Sequence, residues 1–124
     1  MAVLAGNIGA PVRLADTLGG NVSTDVAYVG SRSTIQQAAL VITSAIGATP
    51  TVTVNIQGSI DGTTFVNIPY SAENTISATW VVAALTITTA KTGFYALQPG
   101  MPWRYIKLVM SANTNVTLTV DYLP

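Results

Sequence analysis

The amino-acid sequence predicts an all-β protein: a single antiparallel β-sandwich, jelly-roll-like or of a related kind, with an extended N-terminal arm. Three observations predict this fold class. Threonine, valine, isoleucine and alanine dominate the chain, and β-branched side chains suit a pleated, half-buried surface. Glycine, asparagine and proline recur at short intervals, as they do in turns between short strands. A length of 124 residues without an internal repeat or a linker is enough for one domain.

The first twenty residues show neither helical nor strand periodicity, because glycine and proline divide them into short pieces. We therefore expect residues 1–20 to form an arm that becomes ordered against a neighbouring protein, and residues 21–124 to form the sandwich domain. The apolar residues of the arm are the candidate contacts with that neighbour or with other copies of the chain: Ala2, Val3, Leu4, Ile8, Val12 and Leu14.

The beginning of the chain does not have the pattern of a secretory signal peptide. Residues 1–6 lack a basic segment, and Gly6, Asn7 and Gly9 interrupt the apolar stretch. No apolar run approaches the roughly 20 residues that a membrane-spanning helix needs. The expectation is a protein that is made in the cytoplasm and has no membrane partner.

The segment before the central strand allows two interpretations. Residues 22–29 alternate acceptably for a strand, but residues 33–46 are ambiguous. A capping-box pattern at residues 33–36 indicates a helix, whereas residues 40–43 are typical of a buried strand. We favour the strand, because it leads directly into a turn-forming connection at residues 47–50.

The clearest strand lies at residues 51–57, where three apolar residues alternate with threonine, asparagine and glutamine. Asp61 and Gly62 follow as a turn signal, and residues 63–68 return as a second strand. This pattern predicts a β-hairpin in the middle of the chain.

The register of this hairpin follows from its buried face. A three-residue turn with Gly62 in the left-handed conformation pairs Ile56 with Val66 and Val54 with Ile68. A two-residue turn would instead place apolar residues opposite polar ones. We therefore predict the three-residue turn with its bulge.

The second half of the chain supplies further strands. Residues 77–89 are apolar and threonine-rich enough for one long strand or two short ones. Residues 94–97 form another candidate strand, which ends at the turn of Pro99 and Gly100.

A last hairpin is predicted from two alternating runs, residues 105–110 and 116–122, on either side of a loop at 111–115. Folding the chain at this loop gives one apolar face and one mainly polar face. The predicted pairs are Met110 with Val116, Leu108 with Leu118 and Ile106 with Val120.

The scarcity of charge indicates association with other proteins. Charged residues make up 8% of the chain, against about 25% in a typical soluble domain, and five basic residues balance five acidic ones. Neutral surfaces tend to associate, so we expect an oligomer or a component of a larger assembly. The same balance argues against nucleic acid as a partner, which would require a basic surface.

The composition also argues against enzymatic activity. The chain has no cysteine and no histidine, which excludes disulfides, thiolate nucleophiles, the usual zinc sites and imidazole catalysis. No spacing pairs a hydroxyl nucleophile with a lysine or carboxylate base, and Asp61 is better explained as a turn residue than as a calcium ligand. We therefore expect no catalytic residue, no cofactor and no metal site.

The densest aromatic group surrounds Trp103 and Tyr105, which follow a turn rich in proline and glycine. One interpretation is an exposed aromatic patch that binds sugar or peptide. The alternative, which we favour, is packing in the core or in a subunit interface, because a small domain must bury most of its large aromatic side chains.

The central hairpin and the end of the chain resemble small virion proteins of tailed bacteriophages. Residues 40–65 contain a threonine-rich strand that runs into a characteristic hairpin, and residues 104–109 with the last strand are similar too. Together these segments cover about half of the chain. The hairpin motif reads Gln57-Gly58-Ser59-Ile60-Asp61-Gly62-Thr63-Thr64-Phe65.

The resemblance implies a β-sandwich with a structural role in the virion. The expected function is that of a capsid decoration or cement protein, often trimeric, which binds the major capsid protein on the outside of the phage head and stabilises the shell. Proteins of the same kind also serve as neck or tail components or as host-glycan-binding modules, and both remain alternatives. The shared residues build the hairpin, so no binding residue is transferred from the family.

Overall fold

The computed structural model describes residues 3–5, 11–28, 38–75 and 79–124. Every regular element in these ranges is a β-strand, so the predicted all-β class is confirmed. The strands form one sheet, in which all pairings except that of β1 with β3 are antiparallel. The eight strands are β1 (Val3–Ala5), β2 (Val12–Leu18), β3 (Val26–Tyr28), β4 (Ala38–Ser59), β5 (Val66–Asn67), β6 (Leu85–Ile87), β7 (Lys91–Leu97) and β8 (Tyr105–Leu123).

Two long strands form the centre of the sheet. β4 and β8 pair antiparallel from Ala39 opposite Leu123 to Ser59 opposite Tyr105. Both strands are rich in valine, isoleucine and threonine, whose branched side chains favour extended backbone. All other strands add to the two sides of this long ladder.

The ladder is irregular near its middle. Its register shifts between Ile46 and Thr51 and again between Thr51 and Thr53, which marks β-bulges. On the facing strand, Ala112 and Asn115 have left-handed backbone, with φ angles of 49° and 55°. Bulges bend a strand and increase its twist, so each long strand consists of two halves.

Asparagine side chains stabilise this bend. Asn113 Oδ1 accepts a hydrogen bond from the N–H of Val116, and its Nδ2 donates to the carbonyls of Val116 and Gly20. Asn115 Nδ2 donates to the carbonyl of Ala48 at 2.6 Å, which joins the irregular parts of β8 and β4. These bonds satisfy backbone groups that the interrupted ladder leaves unpaired.

The two halves of the sheet have different outer strands. In the first half, residues 38–44 of β4 pair with β7, and residues 118–122 of β8 pair with β2. In the second half, β4 pairs with β6 and then with β5, while β8 pairs with β3, to which β1 adds. The long strands are therefore the only described strands that belong to both halves.

One face of both halves packs into a single core. Alternate residues of β4 and β8 are buried on this face, and side chains of the shorter strands complete the cluster. The two-layered sandwich itself stays a prediction. The core residues of the long strands are Leu40, Ile42, Val52, Val54, Ile56, Ile106, Leu108, Met110, Val116, Leu118, Val120 and Tyr122.

The central hairpin has a different register from the predicted one. Gly62 has left-handed backbone with a φ of 83°, as expected. However, Gly58 and not Ile56 lies opposite Val66, and the N–H of Ile68 donates to the Ile56 carbonyl at 3.0 Å. Because the shift is two residues, Ile56 and Ile68 still face the core.

The shift arises from a wide turn that Asp61 organises. Its Oδ1 accepts hydrogen bonds from the N–H groups of Thr64 and Thr63 and from the Ser59 hydroxyl. These bonds favour the ionised carboxylate and so lower the pKa of Asp61, with the largest contribution from the N–H of Thr64. The sequence identified Asp61 and Gly62 as turn residues. It did not show that the Asp61 carboxylate would accept hydrogen bonds from three other residues of the turn.

The predicted hairpin at the end of the chain is wrong. The residues from Tyr105 to Leu123 form one continuous strand, in which Leu108 lies opposite Ile56 and Leu118 opposite Ser44. The alternating pattern identified the buried face correctly, but it does not specify the partner strand. β4 is long enough to pair with both runs, so the chain does not need to turn back at residues 111–115.

Three shorter expectations have mixed outcomes. The strand interpretation of residues 33–46 is confirmed from Ala38 onward, while residues 33–37 lie outside the described ranges. Residues 77–89 contain one short strand, β6, and residues 77 and 78 lie outside the described ranges. The expected strands at 22–29 and 94–97 correspond to β3 and β7.

The predicted boundary between arm and domain is wrong, because β2 belongs to the sheet. It pairs with the end of β8, and Leu14 is a core residue with 2% of its surface exposed. Register shifts between Arg13 and Ala15, and between Ala15 and Leu18, disturb its alternation. Because of these irregularities, the alternation of apolar and polar residues along the sequence did not predict the strand.

A glycine of β4 leaves room for a tryptophan. A Cβ at Gly58 would lie 2.9 Å from the Trp103 ring and 3.0 Å from Ile68, closer than packed atoms tolerate. We predict that Gly58→Ala lowers the free energy of unfolding by about 1–3 kcal/mol, the usual cost of overpacking. The control is Gly19→Ala, whose Cβ meets its nearest neighbour at 3.4 Å. Equal urea midpoints for the two variants would contradict this account.

Candidate binding surfaces

The structure does not support all of the predicted arm residues as contacts. Leu14 is in the core and Val12 packs against it, so both stabilise the fold instead of presenting a docking surface. Val3 and Leu4 belong to β1, at the edge of the second half of the sheet. Ala2 and Ile8 lie outside the described residues.

The predicted aromatic patch is divided between two faces of the sheet. Trp103 is half-buried on the core side, where its ring covers Gly58 and packs against the core cluster. Tyr105 precedes the buried Ile106, so its side chain points to the outer face. There its ring lies 5.1 Å from that of Tyr28, centroid to centroid. Trp103 Nε1 is buried and has no hydrogen-bond partner among the described residues.

The outer face of the first half carries an apolar groove. Leu123, Ala39 and Ala96 lie opposite one another across β8, β4 and β7, and Val41 lies opposite Phe94 in the next row. The small alanine side chains in the middle leave a depression between the larger residues on either side. Its lining residues are Ala38, Ala39, Val41, Trp80, Phe94, Ala96, Leu97, Pro99, Leu123 and Pro124.

The groove is large and uncharged. Its volume is about 580 Å³, and none of the described residues that line it is acidic or basic. Val81 and Val82, which follow the lining residue Trp80, are 42% and 56% exposed. Beyond the groove the same face becomes polar, with Thr43 opposite Thr92. Concave, mainly apolar clefts of this volume are typical of binding sites.

A loop covers the free edge of β7 next to the groove. Ser71 donates its N–H to the Ala96 carbonyl and accepts from the Ala96 N–H through Oγ. Asn74 makes the equivalent pair of bonds with Phe94, using its N–H and its Oδ1. This edge is therefore closed to a further strand, and an incoming partner would meet the side chains of the groove.

An ion pair and a tyrosine lie under this loop. Lys91 Nζ is 2.7 Å from Glu73 Oε2, and Glu73 folds over Gly93, which has no side chain to obstruct it. The neighbouring Tyr95 is buried. Burial above all, with smaller contributions from Glu73 and Tyr70, raises the pKa of the Tyr95 phenol to about 12.

The outer face of the second half has a different composition, which we call the polar aromatic face. Lys107, Gln57 and Asn67 form one row across β8, β4 and β5. Gln57 Nε2 donates to Asn67 Oδ1 at 3.1 Å, and Lys107 Nζ lies 4.1 Å from the centroid of the Phe65 ring. The pair of Tyr28 and Tyr105 continues this face toward β3.

The sequence pointed to one residue of the polar aromatic face, Tyr105, but not to the rest of that face or to the groove. Each surface consists of outward-facing positions on strands that are distant in sequence, so their composition becomes visible only when the register is known. A signal for the groove was present in β7, where Phe94 and Ala96 are apolar although they alternate with buried residues. A strand that is apolar on both faces packs one face in the core and leaves a second apolar surface, which is stabilised when another element or a partner packs against it.

The described residues offer no basis for metal chemistry. No group of three or more acidic side chains in these ranges is placed to hold a metal ion. No helix in the described part of the chain is long and apolar enough to cross a membrane. The described side chains of the two surfaces offer apolar contact, hydrogen bonding by amides and hydroxyls, aromatic packing and, at Lys107, one positive charge.

Comparisons of the chain with protein-family models, with curated proteins and with solved structures found no match.

The raised pKa of Tyr95 predicts a loss of stability in alkali. A tyrosine in the unfolded chain ionises near 10, whereas the buried phenol holds its proton to about 12. The folded protein thus binds more protons between these values, and its free energy of unfolding falls as the pH rises through them. Tyr95→Phe should make this decline shallower in urea titrations at pH 9 to 12. An unchanged slope, equal to that of a Tyr28→Phe control, would contradict the prediction.

Proposed function

We propose that the chain is a structural protein of a virus particle, a capsid decoration protein that attaches to the outside of a phage head through its apolar groove. The groove is the observation that carries this proposal, since it is an apolar cleft of about 580 Å³ whose described lining residues are all uncharged. The choice of a phage head among possible assemblies rests on the resemblance of the hairpin motif to small phage virion proteins.

The chemistry of the groove favours a protein partner. Removing apolar surface from water stabilises a complex by roughly 25 cal/mol per Å², and no charged group among the described lining residues opposes burial. Asp121, which lies opposite the lining residue Val41, is already paired with Arg13 within the chain. A protein surface with projecting aliphatic or aromatic side chains would fill the depression above Ala39 and Ala96.

The low charge of the whole molecule supports attachment at many sites. Ten charged residues in 124 give little electrostatic repulsion between neighbouring copies on a shell. A protein that binds only the assembled shell stabilises it by mass action, and an oligomer that binds several sites gains avidity. A homotrimer bound to the major capsid protein would use both effects.

A charge placed in the groove tests the docking surface. Ala96→Asp puts a carboxylate at the centre of the groove, and the hydrogen bonds of the Ala96 backbone with Ser71 do not depend on its side chain. We expect binding to genome-free heads of the encoding phage to fall by about tenfold or more, because burying an unpaired charge is costly. Cosedimentation with purified heads measures the loss.

The matched control is Thr92→Asp. It places the same carboxylate on the same face of β7, at an exposed position outside the groove. This variant should bind heads like the unchanged protein. Equal binding by both variants would show that the groove is not the docking surface, and absence of binding by the unchanged protein would refute the proposed function.

The oligomeric state is a separate test. Light scattering on a sizing column should give a solution mass three times that of one chain, as expected for a trimeric decoration protein. A monomer at tens of micromolar would contradict the trimer. Ala96→Asp should leave a trimer intact if the groove contacts the shell, since the two interfaces are then different surfaces.

A further inference from the structure

We propose that the polar aromatic face binds an acidic polysaccharide, with a sugar ring against Tyr28 and Tyr105 and its carboxylate at Lys107. This is a binding function distinct from attachment through the groove, and it uses the other half of the sheet. The face is composed of side chains that are exposed or half-exposed: Tyr28, Gln57, Phe65, Asn67, Tyr105 and Lys107.

The tyrosine pair provides an apolar platform with polar ends. The two rings are 5.1 Å apart at an angle of 47°, and Gly62 lies against the Tyr105 ring, where a Cβ would approach to 3.1 Å. The turn of the central hairpin therefore fixes one side of the platform. The faces of aromatic rings carry partial negative charge and attract the polarised C–H groups of a sugar ring.

The amide pair next to the platform matches sugar hydroxyls. Because Gln57 Nε2 donates to Asn67 Oδ1, each amide is held in a fixed orientation. Gln57 Oε1 remains as an acceptor and Asn67 Nδ2 as a donor. An adjacent acceptor and donor bind two neighbouring hydroxyl groups, each of which can donate and accept.

Lys107 selects an acidic ligand. The described residues contain acid–base contacts of Arg13 with Asp16 and Asp121, and of Lys91 with Glu73, whereas Lys107 takes part in none of them. Its ammonium lies over the Phe65 ring, which holds it beside Gln57 and leaves its charge uncompensated by a carboxylate. A ligand carboxylate supplies that partner, whereas a nucleic acid would need several cations along its backbone.

Oligogalacturonate is a suitable probe, with its methyl ester as a matched ligand that has the same sugars without the charge. Isothermal titration calorimetry of the full chain should detect binding of oligogalacturonate, and the affinity for the methyl ester should be at least tenfold lower. Lys107→Gln should remove this preference for the charged ligand. Gln57→Thr should lower the affinity for both ligands by at least threefold. Arg13→Gln, which removes one positive charge from the other half of the sheet, is the control and should bind like the unchanged protein.

Several results would overturn this proposal. One is the absence of binding to oligogalacturonate and to a panel of sialylated and uronate-containing glycans. Another is equal weakening by Lys107→Gln and Arg13→Gln, which would indicate attraction by net charge alone. Binding of an oligothymidylate in place of the acidic glycans would assign the face to single-stranded nucleic acid instead. Because Ala96→Asp leaves this face unchanged, glycan binding and head binding succeed or fail independently.

Discussion

The long antiparallel pairing of β4 with β8 is the constraint on which the rest of the structure depends. It satisfies most of the backbone of both long strands, orients their alternate side chains toward one core and provides edges for every shorter strand except β1, which pairs with β3. The bulges near its middle divide the ladder without ending it, and Asn113 and Asn115 replace part of the lost backbone pairing. Two sheet halves with one shared core follow from this single interrupted ladder.

The same constraint gives the molecule two outer faces of different chemistry. Every residue between the buried positions of β4 and β8 must point outward, and the bend separates these positions into two groups. In one group, alanines lie between larger apolar side chains and form the groove. In the other, amides, tyrosines and a lysine form the polar aromatic face. The two outer faces therefore offer two separate surfaces, and this division underlies both proposals.

The edges of the sheet also influence how the protein can associate. A chain with so few charges lacks the usual protection of edge strands by lysine and glutamate. At β7, Ser71 and Asn74 close the edge with backbone and side-chain hydrogen bonds, and at β2 the bulges and the Arg13–Asp121 ion pair make the edge irregular. Association by strand addition is thereby disfavoured at the edges of β2 and β7.

The sequence by itself determined the all-β class, the buried faces of the two long strands and the left-handed turn at Gly62, because these depend on local alternation and on the conformational freedom of glycine. Only the tertiary structure decided which strands pair. Alternation is equally satisfied by a hairpin at residues 111–115 and by one long strand, and the choice depends on the length of β4, a distant partner. It also decided that Leu14 is core, that Trp103 and Tyr105 lie on opposite faces, and that alanines from two strands meet in a groove. Such neighbours are brought together by register across the sheet, which spacing along the chain does not encode.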